Sequence, residues 1–112
     1  MHTPLNDNRR AHRRSVIVQK TRVRHDGGEE TGRILNISAG GAGLQLEVRL
    51  PDQTEITVEI DNIGIVPAQV VRQMQDGVGV KFTFSPEREQ MFIRQITKLV
   101  AEKRREQFFV VS

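Results

Sequence analysis

Between residues 15 and 84, short runs of alternating apolar and polar residues are separated by turn-forming clusters, and this rhythm admits little besides a small all-β fold. Leu44, Leu46 and Val48 alternate with Gln45, Glu47 and Arg49, the period of two expected of a half-buried strand. Ile56, Val58 and Ile60 alternate with Thr57 and Glu59 in the same way. An extended run opens at Ser15, where Val16 and Val18 alternate with Ile17 and Gln19. The cluster His25-Asp26-Gly27-Gly28-Glu29 then turns the chain into a strand over residues 31–35. Residues 65–74 and 78–84 complete about six strands, with turns at Asn62-Ile63-Gly64 and Asp76-Gly77. Consecutive antiparallel strands of this length predict a closed or nearly closed barrel, because open edges invite aggregation.

A different period takes over after the strands. Ser85-Pro86-Glu87 places a hydroxyl at the cap, a proline at the first helical position and an acid in the first turn. Phe92, Ile96, Leu99 and Val100 then fall on one stripe of a helix, which predicts that the stripe packs on the barrel. The expected division is a flexible basic arm over residues 1–13, a barrel with its helix over 14–106, and an apolar tail over 107–112 that contains Phe108, Phe109, Val110 and Val111. Such a tail could cover a barrel edge or join two chains, so either a monomer or a weak dimer fits. The arm has only Leu5 as a sizeable apolar group and cannot repay its ordering entropy by burial.

Charge is concentrated rather than large. The 112 residues hold 17 Lys and Arg against 14 Asp and Glu. Yet seven basic residues and no acid lie between Arg9 and Arg24, and 13 of the 17 are Arg. A guanidinium is a planar fork suited to phosphate and to guanine edges, whereas Lys is a point charge. With no cysteine, the chain has no disulfide or thiolate nucleophile and suits a reducing cytoplasm. No run approaches the roughly 20 apolar residues that cross a bilayer, so membrane insertion is not expected. No metal-ligand spacing, paired carboxylates or nucleophile with its base emerge, so neither an enzyme nor a metal cofactor is expected.

Two stretches stand out as receptor chemistry. Arg9-Arg10-Ala11-His12-Arg13-Arg14 crowds four guanidinium groups into six residues. Either Arg9 with Arg13 or Arg10 with Arg14, four apart, can close around a compact polyanion or fork onto guanine O6 and N7. Asn36-Ile37-Ser38-Ala39-Gly40-Gly41 supplies an amide, a hydroxyl and a glycine-rich backbone. Asn, Ser and Gly also build ordinary turns. Here Asn36 and Ser38 are placed to project from one side toward a base edge, and Gly41 allows close backbone approach or a positive φ.

Together the two stretches resemble the motifs of the PilZ domains, bacterial receptors for cyclic di-GMP. Arg9, Arg10 and Arg14 match the pattern of two arginines, three variable residues and a third arginine. Asn36, Ser38 and Gly41 match the Asn-x-Ser-x-x-Gly pattern. Val70-Val71-Arg72 followed by Gly77-Val78-Gly79-Val80-Lys81-Phe82 is similar to the late strand pair of that family, and the likeness spans nearly the whole chain.

The resemblance implies a mainly β fold, a six-stranded antiparallel barrel whose arm folds over one face when ligand arrives. It implies that Arg10 and Arg14 grip phosphates and guanine, that Asn36 and Ser38 read a guanine edge, and that Gly41 keeps the floor open. Arg9 would stack on or bridge guanines, and one or two cyclic di-GMP molecules would enter each protomer. Arg13, Gly40 and Arg72 are further candidates; Arg72 could stack where the chain has no Trp or Tyr. The expected role is that of a cytoplasmic bacterial adaptor that changes shape and acts on an unidentified effector protein of motility, biofilm or exopolysaccharide machinery. A nucleic-acid-binding barrel with a basic arm is the alternative and is disfavoured, as is a protein-interaction module without ligand. Phe82 and Phe84 read as core rather than as an RNA-stacking pair.

Overall fold

The computed structural model describes residues 15–111, with side chains to Lys103. Six strands precede one helix: β1 (Ser15–His25), β2 (Gly28–Ile37), β3 (Gly41–Gln45), β4 (Glu55–Ile60), β5 (Gly64–Met74), β6 (Gly77–Phe82) and α1 (Pro86–Val111). All pairings are antiparallel, and the strands close into a barrel in the order β1-β2-β3-β6-β5-β4. The expected basic arm, with Arg9, Arg10, Arg13 and Arg14, lies outside the described residues, as do the side chains of Phe108, Phe109, Val110 and Val111.

The period of two is read out directly in the core. On β1, Ile17, Gln19, Thr21 and Val23 are buried and their neighbours are exposed. Thr21 satisfies its hydroxyl on the Glu59 carbonyl at 2.5 Å. Ile34, Ile37, Leu44, Val58, Val66, Val70 and Val78 fill the interior from the other strands. At β1 the two valines Val16 and Val18 face outward and are 75% and 54% exposed, so the apolar residues on that strand line both of its faces.

The helix begins as its residues predict. Ser85 Oγ accepts the Arg88 N–H at 3.3 Å, which satisfies a donor that a helix start otherwise leaves unpaired, and the Ser85 carbonyl accepts the first regular helical bond from the Glu89 N–H at 2.9 Å. Phe92, Ile96, Leu99 and Val100 are buried against the barrel. Phe92 lies edge-on to Phe82 with centroids 5.0 Å apart at 73°, and Phe84 leans on both rings. This fixes Phe82 in the core, with half-buried Phe84 packed against it.

One strand is shorter than its pattern. The alternation from Leu44 to Arg49 predicts a strand that long, but β3 ends at Gln45. Leu46 donates its N–H to the Asp76 carbonyl at 3.1 Å, and the chain then bends at Glu47 and Val48. The bend carries Leu50 into the core, where Gln73 Nε2 holds its carbonyl at 2.8 Å. Leu46 and Leu50 are both buried, so the apolar residues are accommodated without a continuous strand.

Because Phe92 joins helix to barrel, Phe92→Ala should lower the unfolding free energy by about 3–5 kcal/mol, the range for a buried Phe truncated to Ala. Urea denaturation followed by circular dichroism measures this. A loss under about 1 kcal/mol would mean that the helix contributes little to the core.

Candidate functional site

The turn that ends β2 is built from its own residues. Ile37 is the last residue of β2, and Ser38, Ala39 and Gly40 connect it to Gly41. Ser38 Oγ accepts N–H groups from Gly40 at 3.2 Å and Gly41 at 3.3 Å and donates toward the Gly41 carbonyl at 3.5 Å. The Ser38 N–H donates to the same carbonyl at 2.8 Å, and the Gly40 carbonyl accepts from Phe82 at 2.9 Å. Ser38 is buried, and its hydroxyl is spent on holding the turn. The expected projection of Asn36 and Ser38 from one side is not what the backbone gives: Asn36 stays on the ladder, whereas Ser38 folds into the turn.

Gly41 is explained by contact rather than by its φ angle, which is not positive. A Cβ there would strike the Val80 carbonyl of β6. Gly40 is exposed at the apex of the turn.

Asn36 belongs to a row that crosses five neighbouring strands. The pairings Val16↔Asn36, Asn36↔Gly43, Gly43↔Gly79 and Gly79↔Arg72 place these residues side by side on the outer face. The adjacent pair, Val70 and Val80, points inward. Bulges in β1 between Val16 and Gln19, in β2 between Ile34 and Asn36, and in β5 between Val70 and Arg72 all adjoin the row. Bulges re-aim side chains. At about 4.8 Å per strand, Asn36 and Arg72 stand about 14 Å apart with two glycines between them.

Those glycines make the floor. A Cβ on Gly43 would lie 2.8 Å from Asn36 Nδ2, and one on Gly79 would lie 3.4 Å from Arg72 Nε. The amide and the guanidinium therefore lie partly over backbone that carries no side chain. The result is a shallow trough with an amide at one end and a planar cation at the other, flanked by exposed Val16 and Val71. Lys81, opposite Gly41, stands on the next row. Among the described residues neither Arg72 nor Lys81 is in an ion pair.

Gly43 has no place in the sequence reading of the site, and Gly79 and Lys81 enter it only as part of the late strand pair. Their signal was present: a glycine inside a strand marks close backbone approach, and both glycines interrupt runs of alternating apolar residues. Among the described residues no cluster of His, Asp and Glu could hold a metal ion, and no helix is long and apolar enough to cross a membrane.

The PilZ domain family matches residues 8–102 of the chain. No curated protein sequence matches significantly. Among solved structures, the PilZ domain of CeSA from a cellulose-synthesizing bacterium superposes with a TM-score of 0.62 at 20% identity, over 80% of this chain and 96% of that one. YcgR of Escherichia coli in complex with c-di-GMP gives 0.62 at 20% identity, over 93% of this chain and about half, 51%, of that one. The PilZ domain of Escherichia coli YcgR with c-di-GMP gives 0.60 at 20% identity, over 88% of this chain and 94% of that one. These three likenesses establish the fold.

The glycines separate by mechanism. Gly41→Ala should destabilise by more than about 2 kcal/mol, as for a side chain forced against fixed backbone, while Gly79→Ala should be within about 1 kcal/mol of wild type or more stable. Paired thermal denaturations decide, and equal tolerance at both positions would remove the rigid approach of β3 to β6.

Proposed function

The chain belongs to the PilZ domain family, and we propose that it is a receptor for cyclic di-GMP that binds without turnover. The observation that carries this reading is the glycine-floored row between Asn36 and Arg72, next to the Asn-x-Ser-x-x-Gly turn. A flat guanine can lie on backbone at Gly43 and Gly79, with its edge offered to the Asn36 amide and its face to the Arg72 guanidinium. Ser38 takes part by fixing the turn that positions Asn36, and Gly40 and Gly41 by keeping that turn close to β6. Lys81 lends a further cation for phosphate.

Arg9, Arg10, Arg13 and Arg14 supply the remaining charge. They precede β1, whose first residues reach the row at Val16, so a closing arm would bring its guanidinium groups over the trough. Contact of that segment with the ligand would change the surface that an effector protein meets. The reading places the protein in the bacterial cytoplasm, with motility, biofilm or exopolysaccharide machinery as the process controlled. One or two ligand molecules per protomer fit, and titration counts them.

Isothermal titration of cyclic di-GMP into wild type, Arg10→Ala and Arg72→Ala tests the proposal, with GTP as control. Saturable binding is expected for wild type, a loss of at least tenfold for Arg10→Ala, and a loss of about three- to tenfold for Arg72→Ala, the scale of one stacked guanidinium. No binding by wild type, or equal binding of short oligonucleotides with a steep salt dependence, would replace it with a nucleic-acid reading.

A further inference from the structure

The place where β3 stops short of its sequence pattern leaves backbone exposed. The β2–β3 ladder begins at Arg33↔Gln45, so residues 28–32 of β2 pair with β1 on one side and with no strand on the other. Across the opening, the backbone of residues 47–49 makes no hydrogen bond among the described residues. Between these two edges lies a groove of about 720 Å³, whose walls include Lys20, Thr31, Arg33, Glu47 and Arg49. Gly32 closes its inner end, since a Cβ there would strike the Gln45 carbonyl.

The groove is also electrostatically incomplete. Lys20 and Arg33 are directly opposed across β1 and β2, a like-charge arrangement that destabilises a ladder. Neither they nor Arg49 forms an ion pair among the described residues. Glu47 and Asp76 share the lining, so an anionic occupant has to place its charges toward Lys20 and Arg33; a compact phosphate there would leave the open backbone edge unpaired. A polypeptide fits both features: its N–H and C=O groups recur along a strand at the spacing of the open edge, and its carboxylates can be set at one end.

We propose that this groove docks an extended, acidic segment of a partner protein, which adds as a strand to the free edge of β2 and sets its carboxylates against Lys20, Arg33 and Arg49. This inference stands independently of the ligand reading. Were both true, partner and ligand would share β2, with Arg33 three residues before Asn36.

The probe is a fluorescein-labelled peptide, Thr-Glu-Val-Glu-Thr-Glu-Val, followed by anisotropy at 50 and 150 mM salt. Its controls are the same peptide with proline in place of both valines, which removes edge-pairing N–H groups, and one with lysine in place of glutamate. Saturable binding to wild type is expected, at least tenfold weaker for the proline peptide and for the double variant Lys20→Glu with Arg33→Glu, whose circular dichroism spectrum should match wild type because both side chains are exposed. The lysine peptide should not bind. Absence of saturable binding up to millimolar peptide, or equal affinity for the proline peptide or the folded double variant, would overturn the proposal and leave the charges as protection of a bare edge.

Discussion

The barrel closes through β3 and β6, which are far apart in sequence and approach so closely that every outward-facing pair of their contact includes a glycine. A Cβ on Gly41 would meet the Val80 carbonyl, and one on Gly77 would meet the Leu44 carbonyl. Between them Gly43 faces Gly79. Without this glycine-lined seam the two halves of the sheet, β1-β2-β3 and β6-β5-β4, would meet only through the short β1–β4 pairing at Val23↔Val58 and Arg24↔Thr57. Closure matters because it covers most of the edge on which small β proteins aggregate, leaving residues 28–32 of β2 as the exception. The same seam presents smooth backbone to the outside.

Under the proposed reading, function and stability draw on one feature. The absence of side chains that lets β3 and β6 pack also clears the trough between Asn36 and Arg72. The flanking bulges turn Asn36 and Arg72 toward it, and the Ser38 turn anchors one of its ends to β6 through the bond from Phe82 to Gly40. The helix completes the opposite requirement by sealing the interior with Phe92 against Phe82 and Phe84. Gln19 is the exception to a satisfied interior: it is buried with both amide atoms unpartnered among the described residues, beside the β1 bulge. Such a group costs about 1–3 kcal/mol, and that cost falls on the strand to which the arginine-rich arm connects.

Much of this was legible from residues alone. Six alternating runs, the Ser85-Pro86 start and the Phe92, Ile96, Leu99, Val100 stripe each depend on local periodicity, and each appears as a strand, a cap or a buried face. The end of β3 was not legible, because alternation at Leu46 and Val48 reports which side chains want burial and not whether a neighbouring strand is there to pair. Ser38 was also misread in geometry. A Ser two residues beyond Asn36 shares its face only while the chain stays extended, and the hydroxyl's own bonds to Gly40 and Gly41 end the strand. Gly43 and Gly79 required the register, since only the pairing of distant strands shows that they face each other.

The most direct test of the account is an NMR titration of isotope-labelled protein with cyclic di-GMP, read for intermolecular nuclear Overhauser effects from guanine protons. The account predicts contacts to the Gly43 and Gly79 amides and to the Asn36 side-chain amide, with saturating shifts confined to that row, the Ser38 turn and the arm. Saturable binding whose contacts instead fall on Lys20, Arg33 and Gly77, with the Gly43 and Gly79 amides unmoved, would contradict it.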